Sequence, residues 1–172
     1  VQQLAAANSL VNAEAKANKM IGVYNYFKGE NANALSAYQQ SLELYKTLPD
    51  KLQQANLLNN IGLVYAAMGD TVAALNSYQM AEKIYQKYGS QQDKVDIHFN
   101  IAGLYLRLKR TDIAIKMFHE VIKTRLLLND EAGLAMAYGD LGSAYKYAGQ
   151  LQKAKRYLAQ SLAYFLQHDM QY

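Results

Sequence analysis

The sequence contains no cysteine and a single proline, Pro49. The lack of cysteine excludes disulfide bonds and thiolate metal ligands, although it does not identify a redox compartment. A lone proline favours helices throughout, because proline interrupts them. The chain also has little excess of positive over negative charge. The 18 basic and 14 acidic residues give a net charge of +4, and the basic residues are spread thinly along the chain, whereas nucleic-acid binders gather theirs on one face. We therefore expect no nucleic-acid partner.

Long apolar runs are absent as well. No run approaches the ~20 apolar residues of a membrane-spanning helix, and the first residues lack the basic and apolar segments of a signal peptide. We expect no direct membrane insertion and assign no compartment, since cytoplasm and bacterial periplasm are both allowed. The chain begins with Val1, and residues 167–172 occupy the register of a loop that opens a new repeat. These ends are typical of a fragment of a longer protein.

The sequence offers no pattern of catalytic residues. His98, His119 and His168 lack the spacing of metal ligands, and the serines have no histidine in register to activate them. His98 replaces an apolar residue on a predicted helix, which indicates a partly buried packing residue. The glycines have helix-ending or packing explanations, so no loop is left to cradle a phosphate. We expect no enzymatic activity, no metal and no cofactor.

What the sequence has instead is a repeat of 40 residues. Four pairs share one register: Ile21-Gly22, Ile61-Gly62, Ile101-Ala102 and Leu141-Gly142. The same step relates Ala34, Ala74, Ala114 and Ala154, and also Tyr38, Tyr78, Phe118 and Leu158. A period of this length predicts a solenoid of stacked two-helix units. The small residues at the shared glycine register are expected to pack against the alanines of the second helix.

Spacings of three and four between apolar residues predict two helices in each repeat. The predicted ranges are 10–28, 31–47, 51–68, 71–87, 92–108, 112–128, 131–148 and 151–167. Gly29, Gly69 and Gly149 follow first helices, where glycine readily adopts a left-handed conformation. Lys109 replaces glycine at this register, which should cost about 1 kcal/mol if the turn keeps a positive φ.

These residues resemble the tetratricopeptide repeat (TPR) pattern. The second repeat carries it as Leu58, Ile61-Gly62, Tyr65, Ala74 and Tyr78, and the third and fourth repeats follow the same pattern. The first repeat departs from it at Asn25, which replaces the tyrosine. The resemblance implies an all-α fold, a right-handed α-solenoid of stacked helix-turn-helix repeats. One TPR domain would span 1–172, with repeats near 10–49, 50–89, 90–129 and 130–169, similar to the longer repeats of kinesin light chains and bacterial peptide-sensing regulators.

The resemblance also implies a concave groove lined by the first helix of each repeat. Counting along those helices gives ten polar candidates for binding a peptide: Lys16, Lys19, Asn56, Asn59, Asn60, Asp96, Asn100, Arg107, Asp140 and Lys146. Phe27, Leu63, Ser143 and Tyr147 lie on the same predicted stripe. Asparagine suits such a groove, because its amide both donates to and accepts from an extended backbone. The asparagines could equally serve hydrogen bonds between repeats.

Some TPR adaptors hold the terminal carboxylate of a partner with lysine, asparagine and arginine. Lys19, Asn60 and Asn100 match such positions only partly, because Val23 stands in place of an asparagine and Asn100 in place of an arginine. The resemblance therefore favours a general groove for a peptide or protein over a carboxylate clamp.

The leading hypothesis is a non-enzymatic scaffold for protein or peptide binding, serving as a regulatory or adaptor module of a larger protein. The alternative is a sensory input domain of a bacterial signalling protein whose output domain lies outside this chain. A further hypothesis concerns the last helix, where Leu151, Leu158, Leu162, Phe165 and Leu166 have no following helix to cover them. Since solenoids need polar caps, we expect either a homodimer through the uncapped terminal helices or extension within a longer protein.

Overall fold

The computed structural model describes residues 2–168 of the chain, and their side chains from residue 7 onward. All regular structure in this part is helical. The helices are α1 (Gln2–Phe27), α2 (Asn31–Lys46), α3 (Lys51–Met68), α4 (Thr71–Tyr88), α5 (Gln91–Arg107), α6 (Thr111–Leu128), α7 (Glu131–Tyr147) and α8 (Leu151–Gln167). The predicted all-α fold of helix-turn-helix repeats is confirmed.

The predicted helix boundaries are accurate to one residue except at the start of α1. That helix begins at Gln2 and not near residue 10, because residues 4–7, a leucine and three alanines, have high helix propensity and extend it. The loop predicted over residues 167–172 falls mainly on residues 169–172, which lie outside the described residues. None of the described helices is both long enough and apolar enough to cross a membrane.

The chain divides into two compact units. Unit 1 is Val1–Ser90, with α1 to α4, and unit 2 is Gln91–Tyr172, with α5 to α8. In each unit every helix packs on the helix next to it in sequence, and in unit 2 α5 also touches α7. Each unit therefore contains two of the predicted repeats. That all four repeats form one domain stays a prediction.

Aspartates and left-handed turns set the ends of many helices. Asp50, Asp70 and Asp130 accept hydrogen bonds from backbone amides three residues on, at 2.9–3.1 Å, which satisfies donors that the first turn leaves open. Gly29, Gly69 and Gly149 have φ of 76°, 84° and 72°, as their register predicts. Lys109 keeps the left-handed turn with φ 59°, so the expected strain at this position applies.

The glycines of the repeat allow an aromatic ring to lie directly on the first helix. A Cβ placed on Gly62 would overlap the Tyr78 ring, and one on Gly22 would overlap the Tyr38 ring. The repeated alanines, such as Ala74, are themselves fully buried. The side chain that closes on the glycine is thus the residue four positions after the predicted alanine, an aromatic one in the first two repeats and Leu158 at Gly142. Close packing of the helix pair depends on this side chain.

Candidate functional site

Unit 1 contains a cavity of about 610 Å³ that combines apolar walls with lysines. It is lined by Lys16, Lys19, Met20, Val23, Tyr24 and Phe27 of α1, with Tyr45 of α2 and Gln53 of α3. The α1 residues Lys16, Lys19, Val23 and Phe27 recur at spacings of three and four, so that they share one helix face. The cavity is therefore a surface of α1, bordered by the neighbouring helices.

Lys19 links α1 to α3 within this cavity. Its Nζ donates a hydrogen bond to Oε1 of Gln53 at 3.0 Å. Burial lowers the pKa of the Lys19 ammonium below its usual value, and the negative charge of Asp50 opposes this shift. A partly desolvated ammonium interacts more strongly with an anion than one in open water does. Lys19 is thus a partly desolvated cation on the wall of this cavity.

Tyr45, which lines the cavity, makes hydrogen bonds to two neighbouring helices. Gln54, which is buried, donates from Nε2 to the Tyr45 carbonyl at 2.7 Å. The Tyr45 hydroxyl donates to Oδ1 of Asn12 at 3.2 Å. These bonds connect the end of α2 to α1 and to α3.

The predicted asparagines of α3 fall into different environments. Asn56 accepts a hydrogen bond from the Tyr85 hydroxyl of α4 at 2.7 Å, which is a contact within the repeat. Asn59 and Asn60 are half-buried. Asn60 is seven residues from Gln53, two helical turns along the same face of α3. A stripe formed by Gln53, Asn56 and Asn60 thus continues from the cavity along α3.

Unit 2 contains two cavities that share the side chain of Ser143. The first, of about 630 Å³, is lined by Phe99, Met136, Gly139, Asp140, Ser143, Leu158, Ser161 and Leu162. The second, of about 520 Å³, is lined by Leu106, Arg107, Lys109, Thr111, Ser143 and Tyr147. Burial raises the pKa of Asp140, and the charges of Arg107 and Arg125 oppose this rise. The predicted residues Arg107 and Asp140 thus border neighbouring cavities.

Asp96, another predicted groove residue, is engaged by a buried arginine. Arg125 of α6 is 2% exposed, and its Nη2 donates to Oδ1 of Asp96 at 3.0 Å. Its Nε lies 3.8 Å from Oδ2 of Asp130, and the guanidinium lies 4.7 Å from the centre of the Phe99 ring. The Nε and Nη1 atoms have no hydrogen-bond partner among residues 2–168. Asp96 is therefore committed to a contact between helices.

Gln92 completes this cluster. Its Nε2 donates to the carboxylates of Asp96, at 3.2 Å, and Asp130, at 3.0 Å. Burial would raise the pKa of Asp130, but the bonds from Gln92 and the Gly133 amide, with the charge of Arg125, lower it. For Asp96 burial prevails and the pKa is raised, although Gln92 and Arg125 act against it. The two carboxylates that surround one guanidinium therefore differ in acidity.

The structure brings together only some of the predicted site residues. Lys16 and Lys19 share a cavity in unit 1, and Arg107 and Asp140 border neighbouring cavities in unit 2. Asn100 is half-buried on α5, and Lys146 is exposed near the end of α7. The predicted packing role of His98 agrees with its half-buried position. Within residues 2–168, no group of three His, Asp or Glu side chains is arranged to hold a metal ion.

Sequence reasoning placed Phe27 on the predicted stripe but missed Met20 and Tyr24 of the unit 1 cavity, and it missed the buried arginine. Tyr24 shares its register with the apolar residues Val64, Leu104 and Ala144. Met20 shares the register of the candidates Asn60, Asn100 and Asp140 and was left out because it is apolar. Arg125 had a detectable signal: it occupies the position of Tyr45 and Tyr85 in the first two repeats. A charged residue at an otherwise aromatic core position predicts a buried ion pair, since burial of an unpaired charge is costly.

The sequence model of the tetratricopeptide repeat family matches residues 13–87 and 94–167. Curated protein sequences provide no match to the chain. Several solved structures are similar to the chain. BtubC from P. vanneervenii has 19% identity and a TM-score of 0.77, over 92% of this chain. A Rap protein in complex with the Competence and Sporulation Factor has 22% identity and a TM-score of 0.83, over 91% of this chain. The Rap conjugation gene regulator of plasmid pLS20, in complex with the Phr* peptide, has 19% identity and a TM-score of 0.79, over 85%.

At these identities the likeness concerns the fold. This chain spans 65% of the length of BtubC, 44% of the Rap protein and 41% of the plasmid regulator. It therefore corresponds to less than two thirds of each of these structures.

Proposed function

The chain belongs to the tetratricopeptide repeat family, and from that premise we propose that it is a non-enzymatic scaffold that binds an extended peptide or protein segment. The observation that carries this proposal is the unit 1 cavity, where Lys16 and Lys19 stand beside Met20, Val23 and Phe27. On this proposal the scaffold acts as a regulatory or adaptor module of a larger protein. Its residues bind the segment and perform no chemical step.

The chemistry of the cavity favours a segment that combines an apolar side chain with a carboxylate. Phe27 and Met20 are 83% and 72% exposed, so a ligand would remove a large apolar surface from water. The two lysines supply positive charge at the same place. A carboxylate would pair with them, and the lysine stems would cover the adjacent apolar group.

The α3 stripe favours an extended conformation of the ligand. Its amides, on Gln53 and Asn60, both donate and accept hydrogen bonds, and an extended segment exposes unpaired backbone groups at regular intervals. Two helical turns separate these amides, a span of about 10 Å. A peptide of about three extended residues covers that distance, so one short segment can reach from the cavity to Asn60.

A solved structure of similar fold with a bound peptide supports a peptide as the class of ligand. The plasmid regulator was solved with the Phr* peptide, and the Rap protein with the Competence and Sporulation Factor. These statements concern those proteins. For this chain they favour a test with peptides before any other class of molecule.

Selection from a phage-displayed library of random peptides tests the proposal. We expect the selected peptides to carry an acidic residue near a bulky apolar one. Synthetic versions, measured by fluorescence anisotropy, should bind Lys19→Met and Phe27→Ala about tenfold more weakly or worse, since loss of an anchor costs roughly 1.4 kcal/mol or more. Binding should also weaken at high salt, because screening reduces the lysine–carboxylate attraction.

Lys83→Met provides the matched control. Lys83 is an exposed lysine on α4, away from the residues of the cavity, and its loss should leave the affinity unchanged. Circular dichroism should report the same helix content for all variants. Equal affinity of the wild type, Lys19→Met and Phe27→Ala for every selected peptide would contradict the proposal, as would a library that yields no binder.

A further inference from the structure

The turn between α5 and α6 differs in charge from the equivalent turns of the other repeats. It carries Lys109 and Arg110, and both side chains are exposed. The pairs at the same register are Gly29-Glu30, Gly69-Asp70 and Gly149-Gln150. The third repeat therefore presents two adjacent cations where the others have a glycine followed by an acidic or neutral residue.

The backbone of this turn does not explain the two cations. Lys109 has φ 59°, a left-handed conformation that glycine adopts at lower free energy. A cation does favour the carboxyl end of α5, but Arg107 already supplies one in its last turn. The side chains of this turn are therefore retained at a strained position, which is a reason to look for a function there.

Arg110 is unfavourable for the helix that follows it. It occupies the N-cap of α6 and makes no side-chain hydrogen bond to the first turn. Asp70, at the same position before α4, accepts a hydrogen bond from the Ala73 amide at 3.0 Å. An arginine has no acceptor atom for this purpose, and its charge opposes the positive end of the helix dipole. Capping thus gives no reason for an arginine at this position.

The turn borders the second cavity of unit 2, whose volume is about 520 Å³. Lys109 and Arg107 line this cavity, and none of its described lining residues is acidic. The equivalent residues two repeats earlier are all uncharged: Tyr26, Phe27, Gly29, Asn31, Leu63 and Ala67. Pockets that hold small ligands have volumes of about 300–1,000 Å³. The cations of the third repeat therefore lie at a concave site and not on a flat surface.

Other charged residues lie next to the cavity. Lys146 is exposed beside Tyr147, and Asp112 is exposed in the first turn of α6. Burial raises the pKa of Asp140, which lines the neighbouring cavity, and the charge of Arg107 opposes this rise. Because Arg107 also serves Asp140, the charge available to a ligand is assigned to the turn residues Lys109 and Arg110.

We propose that this cavity binds an acidic segment of a partner protein, as a second site of the scaffold that depends on unit 2 alone. Lys109 and Arg110 pair with carboxylates of the segment, and the Tyr147 hydroxyl can donate a further hydrogen bond to them. The Tyr147 ring is 76% exposed and Leu106 is half-buried. These two side chains cover the methylene groups of an acidic side chain and remove them from water.

The arrangement of the cations favours a protein segment over a nucleic acid. A nucleic acid presents phosphates at regular intervals, and its binding proteins spread their cations along a face or a helix. Here the cations surround a single turn and stand beside apolar side chains. A segment that places one acidic side chain in the cavity matches this distribution.

An NMR titration of the ¹⁵N-labelled chain with the N-acetylated, C-amidated peptide Glu-Glu-Leu-Glu-Glu tests the proposal. The backbone amide signals of residues 106–111 and 143–147 should shift together at low salt and shift less at high salt, because salt screens the ion pairs. The analogue with glutamine in place of glutamate should leave these signals unchanged. Shifts confined to α1 would overturn this proposal and would leave the unit 1 cavity as a binding site, so that failure of one site is distinguishable from failure of the other.

Lys109→Gly separates binding from folding, because glycine suits the left-handed turn. This variant should melt about 2–4 °C higher than the wild type, since the strain is relieved. It should bind the peptide about three- to fivefold more weakly, which is the effect of losing one exposed ion pair. Lys109→Arg keeps the charge and should bind as the wild type does.

Lys123→Gln is the matched control. Lys123 is an exposed lysine on the same helix as Thr111, about 18 Å from it along the helix axis, and its loss should leave the affinity unchanged. A Lys109→Gly variant that binds the peptide as tightly as the wild type would overturn the proposal. Tighter binding of a short DNA duplex than of the peptide, at the same residues, would also overturn it.

Discussion

At the scale of the residue, the fold depends on glycines that admit an aromatic ring. Gly62 lies in the middle of α3 against the Tyr78 ring. Gly103 also lies inside a helix, α5, but a Cβ placed on it would have no described atom within 4 Å. Both positions carry the entropic cost of glycine in a helix. Only at Gly62 is this cost offset by close packing against a ring.

This contrast predicts that alanine changes the free energy of unfolding in opposite directions at the two positions. Gly62→Ala should lower the free energy of unfolding by about 1–3 kcal/mol, because the methyl group forces the Tyr78 ring to move. Gly103→Ala should raise it by about 0.5–1 kcal/mol, since alanine restricts the unfolded chain and favours the helix. Urea denaturation followed by circular dichroism measures both. Stabilisation of the protein by Gly62→Ala would refute the packing role of this glycine.

From the sequence we predicted that Gly62 packs against the second helix, but not which side chain of that helix it contacts. The 40-residue register places Gly62 and Tyr78 in the same repeat, yet periodicity does not say which side chain of the second helix lies on the glycine. That choice depends on the crossing of the two helices. At Lys109 the expected strain was conditional on a positive φ, and the structure supplies that condition with φ 59°.

At the scale of the element, Arg125 ties together three helices of unit 2. Its partners lie on α5, at Asp96 and Phe99, and at the start of α7, at Asp130. A buried arginine replaces a tyrosine of the earlier repeats, and an ion pair in such a place is rarely more stabilising than apolar packing. The arginine is therefore expected to specify how α5, α6 and α7 meet more than to strengthen them.

Two substitutions of Arg125 separate the contribution of its charge from that of its volume. Arg125→Ala should lower the free energy of unfolding by about 2–5 kcal/mol, because it leaves a cavity and removes the partner of two carboxylates. Arg125→Met fills most of the space and should cost clearly less. Chemical denaturation compares the two variants. Equal losses would show that the charge, and not the volume, is what the site requires.

The pH dependence gives an independent measurement of the same cluster. The pKa of Asp130 is lower in the folded state than its usual value near 3.8, so the stability that it contributes is present above that value and is lost as the pH falls. Arg125→Met removes one cause of the lowered pKa. The variant should therefore lose less stability than the wild type on acidification.

At the scale of the whole molecule, the fold is built from contacts that are local in sequence. Within each unit, each helix packs on the next one along the chain. Proteins dominated by such contacts fold quickly, because little loop-closure entropy must be overcome. We expect refolding on the microsecond-to-millisecond scale in stopped-flow circular dichroism after dilution from urea. A main phase that takes seconds would contradict this expectation.

The same locality explains how much of the architecture could be predicted. Helix boundaries follow from patterns within about 20 residues, so seven of the eight helices were located to a residue. The candidate site was predicted less well, because a cavity depends on side chains that a register cannot rank. Lys16 and Lys19 were found, while Tyr24 and Gln53 were not, since neither lies at a register position from which the groove residues were counted.

The buried guanidinium also limits how this gene could change its number of repeats. Arg125 finds its acidic partners on its own repeat and on the repeat that follows, and Gly133 leaves room for it, since a Cβ there would overlap the arginine. A third repeat copied elsewhere in the array would meet a neighbour without that glycine and would bury a charge against a methylene. Duplication or exchange of modules should therefore succeed more readily with the first two repeats than with the third.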